Sequence, residues 1–269
     1  MYQPAPNFTL PLPAILLTGG KLKNLPASEP AVPSKGFLPL GSKPLSVHTL
    51  AALKACPQVG PVIVVSPLTQ EELGPEWKEA DWVVPCGDKL AQSLYNGLDQ
   101  ITPTPQPVLL VAGDLPFLTP QAVGDFITQA SQYPENALWY AFVEKSVSEQ
   151  KYPQLQHTYA HLVDGTFCGS GLVILRADAA QQLKEAITQV TQMRKYVFKL
   201  AMLLGFKTLW RLATRRLTIA QAEDAGRRLL DAPCKGIVSP YAESAYNIDN
   251  YETLLQARRC MPPEAACSA

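Results

Sequence analysis

The residues with the most obvious chemical potential are an acid at the end of an apolar run and a glycine pair followed by lysines. Val108-Leu109-Leu110-Val111-Ala112 reads as a strand buried on both faces, and it runs into Gly113-Asp114-Leu115-Pro116. Thr119-Pro120 then supplies an N-cap and a first-turn proline for a helix over Gln121 to Gln132. Asp114 therefore stands just past the carboxyl end of a central strand, where open α/β sheets bind ligands. An aspartate there either bonds its own turn or presents hard oxygen to magnesium beside phosphates. Leu17-Thr18-Gly19-Gly20 follows another apolar run, with Lys21, Lys23 and Lys35 in the next loop. Glycines let backbone N–H groups approach a polyphosphate and lysines supply charge, although a plain turn has the same composition. Gly87-Asp88-Lys89 and Ser93 open a helix, where free N–H groups suit an anion or a base edge. Asp249 is either a second carboxylate for a cation or, through the spacing Asp249-Asn250-Tyr251-Glu252, the cap of the last helix.

The elements that position these residues alternate in type. Strands are expected over Ala14 to Thr18, Val62 to Val65, Trp82 to Val84, the Val108 run and Ala137 to Val143. Helices are expected over Leu45 to Ala55 and Leu90 to Gln100, the latter from the stripe Leu90, Leu94, Leu98, Ile101. Lys21 to Gly36 is a loop because Pro26, Pro30 and Pro33 bar regular structure. Glu144 to Leu155 reads as an excursion over the site, and Asp164-Gly165 as a hairpin turn between Thr158 to Val163 and Phe167 to Arg176. Asp178 is expected to cap a helix to about Gln192. A further helix, Arg194 to Leu204, is closed by Gly205. Thr218-Ile219-Ala220-Gln221 is a capping box opening a helix to Leu230. A strand over Lys235 to Val238 and a helix over Tyr251 to Arg259 complete the order. This alternation predicts a mostly parallel sheet with helices on both faces.

Composition narrows the function classes. The 269 residues can bury one large core, and Lys plus Arg balances Asp plus Glu at 23 each, which argues against a nucleic-acid footprint. Six cysteines without a CxxC pair and three histidines without metal spacing point to thiols in a reducing compartment rather than a disulfide or zinc framework. The apolar runs Ile15 to Leu17 and Leu200 to Leu204 are too short for a signal peptide or membrane span. A soluble cytoplasmic protein with neither nucleic-acid nor membrane partner is expected.

The order and spacing of these motifs resemble the MobA-like NTP transferase family, which includes molybdenum-cofactor guanylyltransferases. That family has a strand, a Gly-Gly loop, a Pro-Lys pair and a Leu-Pro-Leu-Gly-Gly-Lys-Pro-Leu run. This chain has Leu17-Thr18-Gly19-Gly20, then Ser34-Lys35 and Leu38-Pro39-Leu40-Gly41-Ser42-Lys43-Pro44-Leu45. Asp114-Leu115-Pro116 matches the family Asp-x-Pro, Ser93 to Leu98 its Ser-x-x-x-Gly-Leu helix, and Asn247-Ile248-Asp249 its Asp-Ile-Asp. The resemblance spans about Ala14 to Ala257. It implies a three-layer α/β/α sandwich with a mostly parallel mixed sheet, the nucleotide-diphospho-sugar transferase (glycosyltransferase A-like) fold. Residues 1–260 would form the single transferase domain, about 144–217 its acceptor-side insertion and helices, and 261–269 a disordered tail.

The implied activity transfers an NMP from an NTP to a phosphorylated or anionic small-molecule acceptor, releasing pyrophosphate. Asp114 and Asp249 would hold Mg2+, and Lys35 with the Gly19-Gly20 loop the triphosphate. The base would lie near Thr18, Gly87 and Ser93, with Leu17, Lys21, Lys23 and Gly113 also on the nucleotide side. Gly169 and Ser170, and Arg194, Lys195 and Lys199, would meet the acceptor. The chain departs from the pattern at Leu22, Asn24 and Ser34, in a loop lengthened by Ala27 to Pro33, and at Cys168-Gly169-Ser170-Gly171, where relatives often have Thr-Gly-Gly-Asn. The same fold could also serve a nucleotide-sugar glycosyltransferase, or a nucleotide-binding regulator with reduced or lost catalysis. The base and oligomeric state are not legible.

Overall fold

The structure, a computed structural model, describes residues 8–101, 106–182, 188 and 205–261. Strands β1 (Leu12–Leu17), β4 (Val59–Ser66), β5 (Trp82–Pro85) and β6 (Pro107–Ala112) pair in parallel, in the order β6-β1-β4-β5. Their register places Leu17 between Ala112 and Val65, so three strands end level at one edge. On the other side of β6 lies β9 (Gly165–Arg176), antiparallel to it, followed by β7 (Leu138–Glu144) and β10 (Cys234–Ser239). A short strand β8 (Ala160–Leu162) hairpins onto β9 through Asp164 and Gly165, as the Asp-Gly pair predicts. Among the described residues these eight strands form one sheet, and β2 (Pro39–Leu40) with β3 (Lys43–Pro44) makes a separate small hairpin. The sheet is mixed because β9 runs against both β6 and β7.

Two-residue periodicity divides the core. Leu12, Ala14 and Leu16 of β1, Val62 and Val64 of β4, and Leu109 and Val111 of β6 point to one face. There they meet Val47, Leu50 and Leu53 of α1 (Leu45–Lys54) and Ala122, Val123, Phe126 and Ile127 of α3 (Pro120–Ser131). Ile15, Ile63, Val65, Val108 and Leu110 point to the other, against Ala91, Leu94, Tyr95 and Leu98 of α2 (Leu90–Leu98) and Ala177 and Ala179 of α5 (Ala177–Gln182). Each large side chain taken out of water here contributes about 1.5–3 kcal/mol, so this alternation is the main drive to the sandwich. A third cluster of Leu38, Leu40, Leu45, Tyr246, Ile248 and Leu254 packs the segments that cross the carboxyl edge, with α8 (Tyr251–Cys260) behind them.

One local reading is corrected and two helices are added. Within the excursion expected over Glu144 to Leu155, residues 145–151 form α4 (Lys145–Lys151), tied by Lys151 to buried Glu243. Asp178 does not precede the helix as its N-cap; it lies in the first turn of α5, where Oδ1 accepts from Ala179 N–H at 2.8 Å and from Arg176 Nε at 3.0 Å, and Oδ2 accepts from Arg176 Nη2 at 2.5 Å. Arg176 is 2% exposed at the end of β9, so its buried charge requires that partner. Gly205 stands at the start of α6 (Phe206–Ala213) with φ +92°, a helix not anticipated although Phe206, Leu209, Trp210 and Ala213 have its spacing; the helix that Gly205 is expected to close lies outside the described residues. The capping box at Thr218 and Gln221 opens α7 (Ile219–Leu230) as expected. The helices expected to Gln192 and over Arg194 to Leu204 fall mainly outside the described residues, as does the tail beyond Met261.

Candidate active site

Asp114 is positioned by its neighbours' backbone. Gly113 N–H donates to Leu17 O at 2.9 Å, extending the β1–β6 ladder by one residue. Ser46 Oγ donates to Gly113 O at 2.6 Å, and Thr49 Oγ1 to Leu115 O at 3.1 Å, so α1 holds both sides of the turn. A Cβ on Gly113 would lie 2.6 Å from Ser46 Oγ and 2.8 Å from Leu17 O, which accounts for glycine. The Asp114 side chain is not used on its own turn. It pairs closely with Lys35 Nζ, and Asn247 Nδ2 lies 3.4 Å from its second oxygen. Asp114 O also accepts from Ile248 N–H at 3.1 Å, which brings the Asn247-Ile248-Asp249 segment alongside.

Lys35 starts a short 3-10 turn, Lys35–Phe37, and its N–H donates to Gly20 O at 2.8 Å. Ser34, standing where the family pattern has proline, ties the loop down through Oγ to Thr18 O at 2.6 Å. The Lys35 ammonium thereby reaches Asp114, Ile248 O at 3.2 Å and Asp249 Oδ1 at 3.4 Å. Burial opposes its charge, but the carboxylates of Asp114 and Asp249 outweigh that cost and hold its pKa above the ordinary lysine value. Asp249 itself is solvent-facing, its side chain 74% exposed. Its capping alternative is excluded because Asn250 caps α8. Asn250 Oδ1 accepts from Thr253 N–H at 2.9 Å, and Thr253 Oγ1 accepts from Asn250 N–H at 3.3 Å.

The glycine loop lies beside this cluster. Gly20 has φ +105°, and a Cβ there would touch Lys35 Cε at 3.8 Å. Lys23 bridges to Asn250, so the loop runs past the start of α8, with Lys21 and Lys23 exposed. Leu22, where the family pattern often has glycine, packs with the third apolar cluster. Thr18 is buried and donates through Oγ1 to Val65 O at 2.8 Å, so Leu17 and Thr18 offer the site backbone rather than that hydroxyl. Gly87 and Ser93 are brought together, Gly87 N–H donating to Ser93 Oγ at 3.0 Å. Cys86 connects the two loops, lying 3.8 Å from a Cβ built on Gly19.

On the acceptor side, Gly169 backs onto the Tyr140 hydroxyl, and a Cβ on Gly171 would lie 2.7 Å from Leu115. This stretch bulges, since Tyr140 pairs with Val173 but Phe142 with Gly169. Ser170 Oγ donates to Ser244 O at 2.8 Å, so its hydroxyl is engaged with the segment before Asn247. Arg194, Lys195 and Lys199 lie outside the described residues. Two polar residues at the site escaped sequence reasoning: Asn247, although its motif was visible, and His157. The Nε2 of His157 is buried without a hydrogen-bond partner among the described residues, and burial lowers its pKa against the opposing field of Asp249. Beyond them, a cavity of about 720 Å3 opens between β7, β9 and β10 and the helices α6 and α7, walled by Tyr140, Phe142, Phe167, Leu212 and Ala222.

Two carboxylates from separate segments thus converge on one cation position at the carboxyl edge, beside a glycine loop. Among the described residues no group of three or more His, Cys, Asp or Glu could enclose a metal. A pair suits magnesium, which takes one or two carboxylates and leaves its other positions to water and phosphate oxygens.

Comparison with known proteins identifies the family. A family model described as a MobA-like NTP transferase domain matches residues 14–230. The chain is 31% identical over 125 residues to a 2-C-methyl-D-erythritol 4-phosphate cytidylyltransferase from Chlamydia pneumoniae, a match that covers 46% of this chain and 55% of that protein. The chain therefore spans about half the length of the curated relatives it matches. Among solved structures, a hypothetical transferase from Thermus thermophilus is 29% identical with TM-score 0.77, over 90% of this chain and 99% of that one. A CMP:2-keto-3-deoxy-manno-octonic acid synthetase complexed with CTP, 11% identical, shares the fold alone with TM-score 0.57 over 92% and 96% of the two chains.

Proposed function

The chain belongs to the MobA-like NTP transferase family, and from that premise we propose that it is a magnesium-dependent nucleotidyltransferase, moving an NMP from an NTP to a phosphorylated or anionic small molecule with release of pyrophosphate. The observation that carries this reading is the convergence of Asp114, Asp249 and Lys35 at the edge of β6, next to Gly19 and Gly20. The names of the curated relatives, which pair a cytidylyl group with a 4-phosphate acceptor, make CTP and a phosphate monoester the first substrates to try.

The division of labour follows from charge. Magnesium, when bound, supplies Lewis-acid neutralisation of the triphosphate oxygens, and Asp114 and Asp249 are the side chains that would hold it. Backbone N–H groups of the Gly19-Gly20 loop bind the phosphates, and Lys35 contributes a positive charge that its neighbours keep protonated. An acceptor phosphate has a second pKa of about 6 and is already largely ionised near neutrality, so no side chain is needed as general base. Positioning and charge neutralisation then account for the chemistry.

The test is pyrophosphate release across the four NTPs with magnesium and a set of phosphorylated acceptors. Asp114→Asn is expected to abolish release while circular dichroism and the unfolding midpoint show a folded protein; unchanged turnover would sink the assignment. Leu22 and Asn24, which depart from the family pattern in the loop, keep a regulatory reading in play. NTP binding without release for any acceptor would support that reading instead.

A further inference from the structure

The chain is neutral as a whole but not along its length. Residues 186–222 hold seven of its 23 Lys and Arg residues and none of its 23 Asp and Glu. The described part of that stretch is dominated by α6, whose outer face is unusual. Phe206 is 81% exposed and Trp210 49% exposed. Four residues apart on a helix, they share one side. The opposite flank is engaged with the protein: Thr208 is buried, and Leu212 walls the 720 Å3 cavity. The Arg216 guanidinium lies 5.8 Å from the Trp210 ring centre, Lys207 and Arg211 line a groove beside Phe206 that also holds Asp224 and Arg228, and Arg215 turns toward the cavity. Among the described residues none of Lys207, Arg211, Arg215 and Arg216 is ion-paired with an acid.

We propose that α6 docks this protein on an anionic membrane surface. Phe206 and Trp210 would enter the boundary between headgroups and acyl chains, and Lys207, Arg211 and Arg216 would pair with lipid phosphates. An interfacial helix has this composition: aromatics on one face, flanking cations and little net hydrophobicity. The negative charge that the stretch lacks is what anionic headgroups supply. Nucleic acid fits less well, because base stacking needs open ring faces and Arg216 lies over Trp210. Among the described residues no helix is long and apolar enough to cross a membrane, and surface docking needs none. The reading departs from the absence of a membrane partner expected from the sequence, which weighed spanning segments and overall charge.

The experiment is co-sedimentation of the full chain with vesicles of phosphatidylcholine alone or mixed with phosphatidylglycerol. Partitioning into the mixed vesicles should be about tenfold higher and should weaken with added salt. The F206S/W210S variant, altered only at exposed positions, should lose about tenfold in partitioning with its unfolding midpoint unchanged; K207Q/R211Q should remove the preference for anionic lipid. Equal binding to both vesicles, or wild-type binding by F206S/W210S, would overturn the proposal. So would light scattering showing a dimer that F206S/W210S converts to monomer, or binding of single-stranded RNA without binding to vesicles.

Discussion

At the scale of single residues, the site is organised by one ammonium held between two carboxylates. Lys35 reaches Asp114 and Asp249 at once, and removing it leaves Asp114, 4% exposed, without its cation. Lys35→Ala should therefore lower stability, and should weaken NTP binding by at most about 3 kcal/mol, the scale of one charge-assisted contact. Added magnesium should raise the melting temperature of this variant more than that of the wild type, because the ammonium no longer competes for the carboxylates. An equal response in thermal unfolding would remove Asp114 and Asp249 as the metal position. His157 offers a pH test. Its folded-state pKa is lowered, so below about pH 6.5 the unfolded chain takes up a proton that the folded one resists. Its contribution is present above that range and lost as pH falls through it. His157→Gln should flatten the fall in denaturant midpoint between about pH 7 and pH 5.

At the scale of elements, capping separates two adjacent residues with similar side chains. Asn250 caps α8 through a reciprocal pair of bonds with Thr253, while Asp249 points to solvent and Lys35. Asn250→Ala should cost about 1 kcal/mol of stability, as loss of an N-cap does, with NTP affinity little changed. Asp249→Ala should do the reverse, and chemical denaturation alongside nucleotide titration would check both. The long proline loop is held to the same helix. Arg258 makes two bonds to Glu29 at 2.6 and 2.8 Å and a third to Pro39 O at 3.1 Å. This clamp fixes the lengthened segment, so Lys35 is delivered from a loop anchored at both ends rather than from a free strand of chain. The Arg258 carboxylate partner is itself mostly shielded, which favours the planar bidentate geometry that lysine cannot make.

At the scale of the whole molecule, three strands that end level create the edge, and crossing segments complete it. Residues from 17 to 249 meet there because β1 and β6 are neighbours in the sheet and Ile248 bonds back to Asp114. A ligand that bridges these segments should stabilise the fold as a unit. With magnesium, the matching NTP at about 100 times its Kd should add about 2.7 kcal/mol, read as a rise in melting temperature over the other three NTPs. No difference among the four would mean that the base is not recognised by the protein alone.

Much of this arrangement was legible before the structure. Continuous apolar runs marked the buried strands, Thr119-Pro120 and Thr218 to Gln221 marked helix starts, and Asp114 followed a strand that reads as central. These are local rules, in which a residue and its near neighbours decide the outcome. The roles of Ser34 and Asn247 and the burial of His157 were not legible because each depends on groups distant in sequence, whereas the choice of Asn250 over Asp249 as the cap was local but ambiguous, since Asp249 with Glu252 and Asn250 with Thr253 have the same spacing. The antiparallel entry of β9, the pairing of Arg176 with Asp178 and the exposure of Phe206 and Trp210 likewise depend on what packs nearby. The sequence by itself determined which residues could form the sandwich and which acids and lysines could do chemistry. Only the tertiary structure decided that Lys35, Asp114 and Asp249 share one point in space, because that point is made by bonds between segments that the chain order leaves far apart.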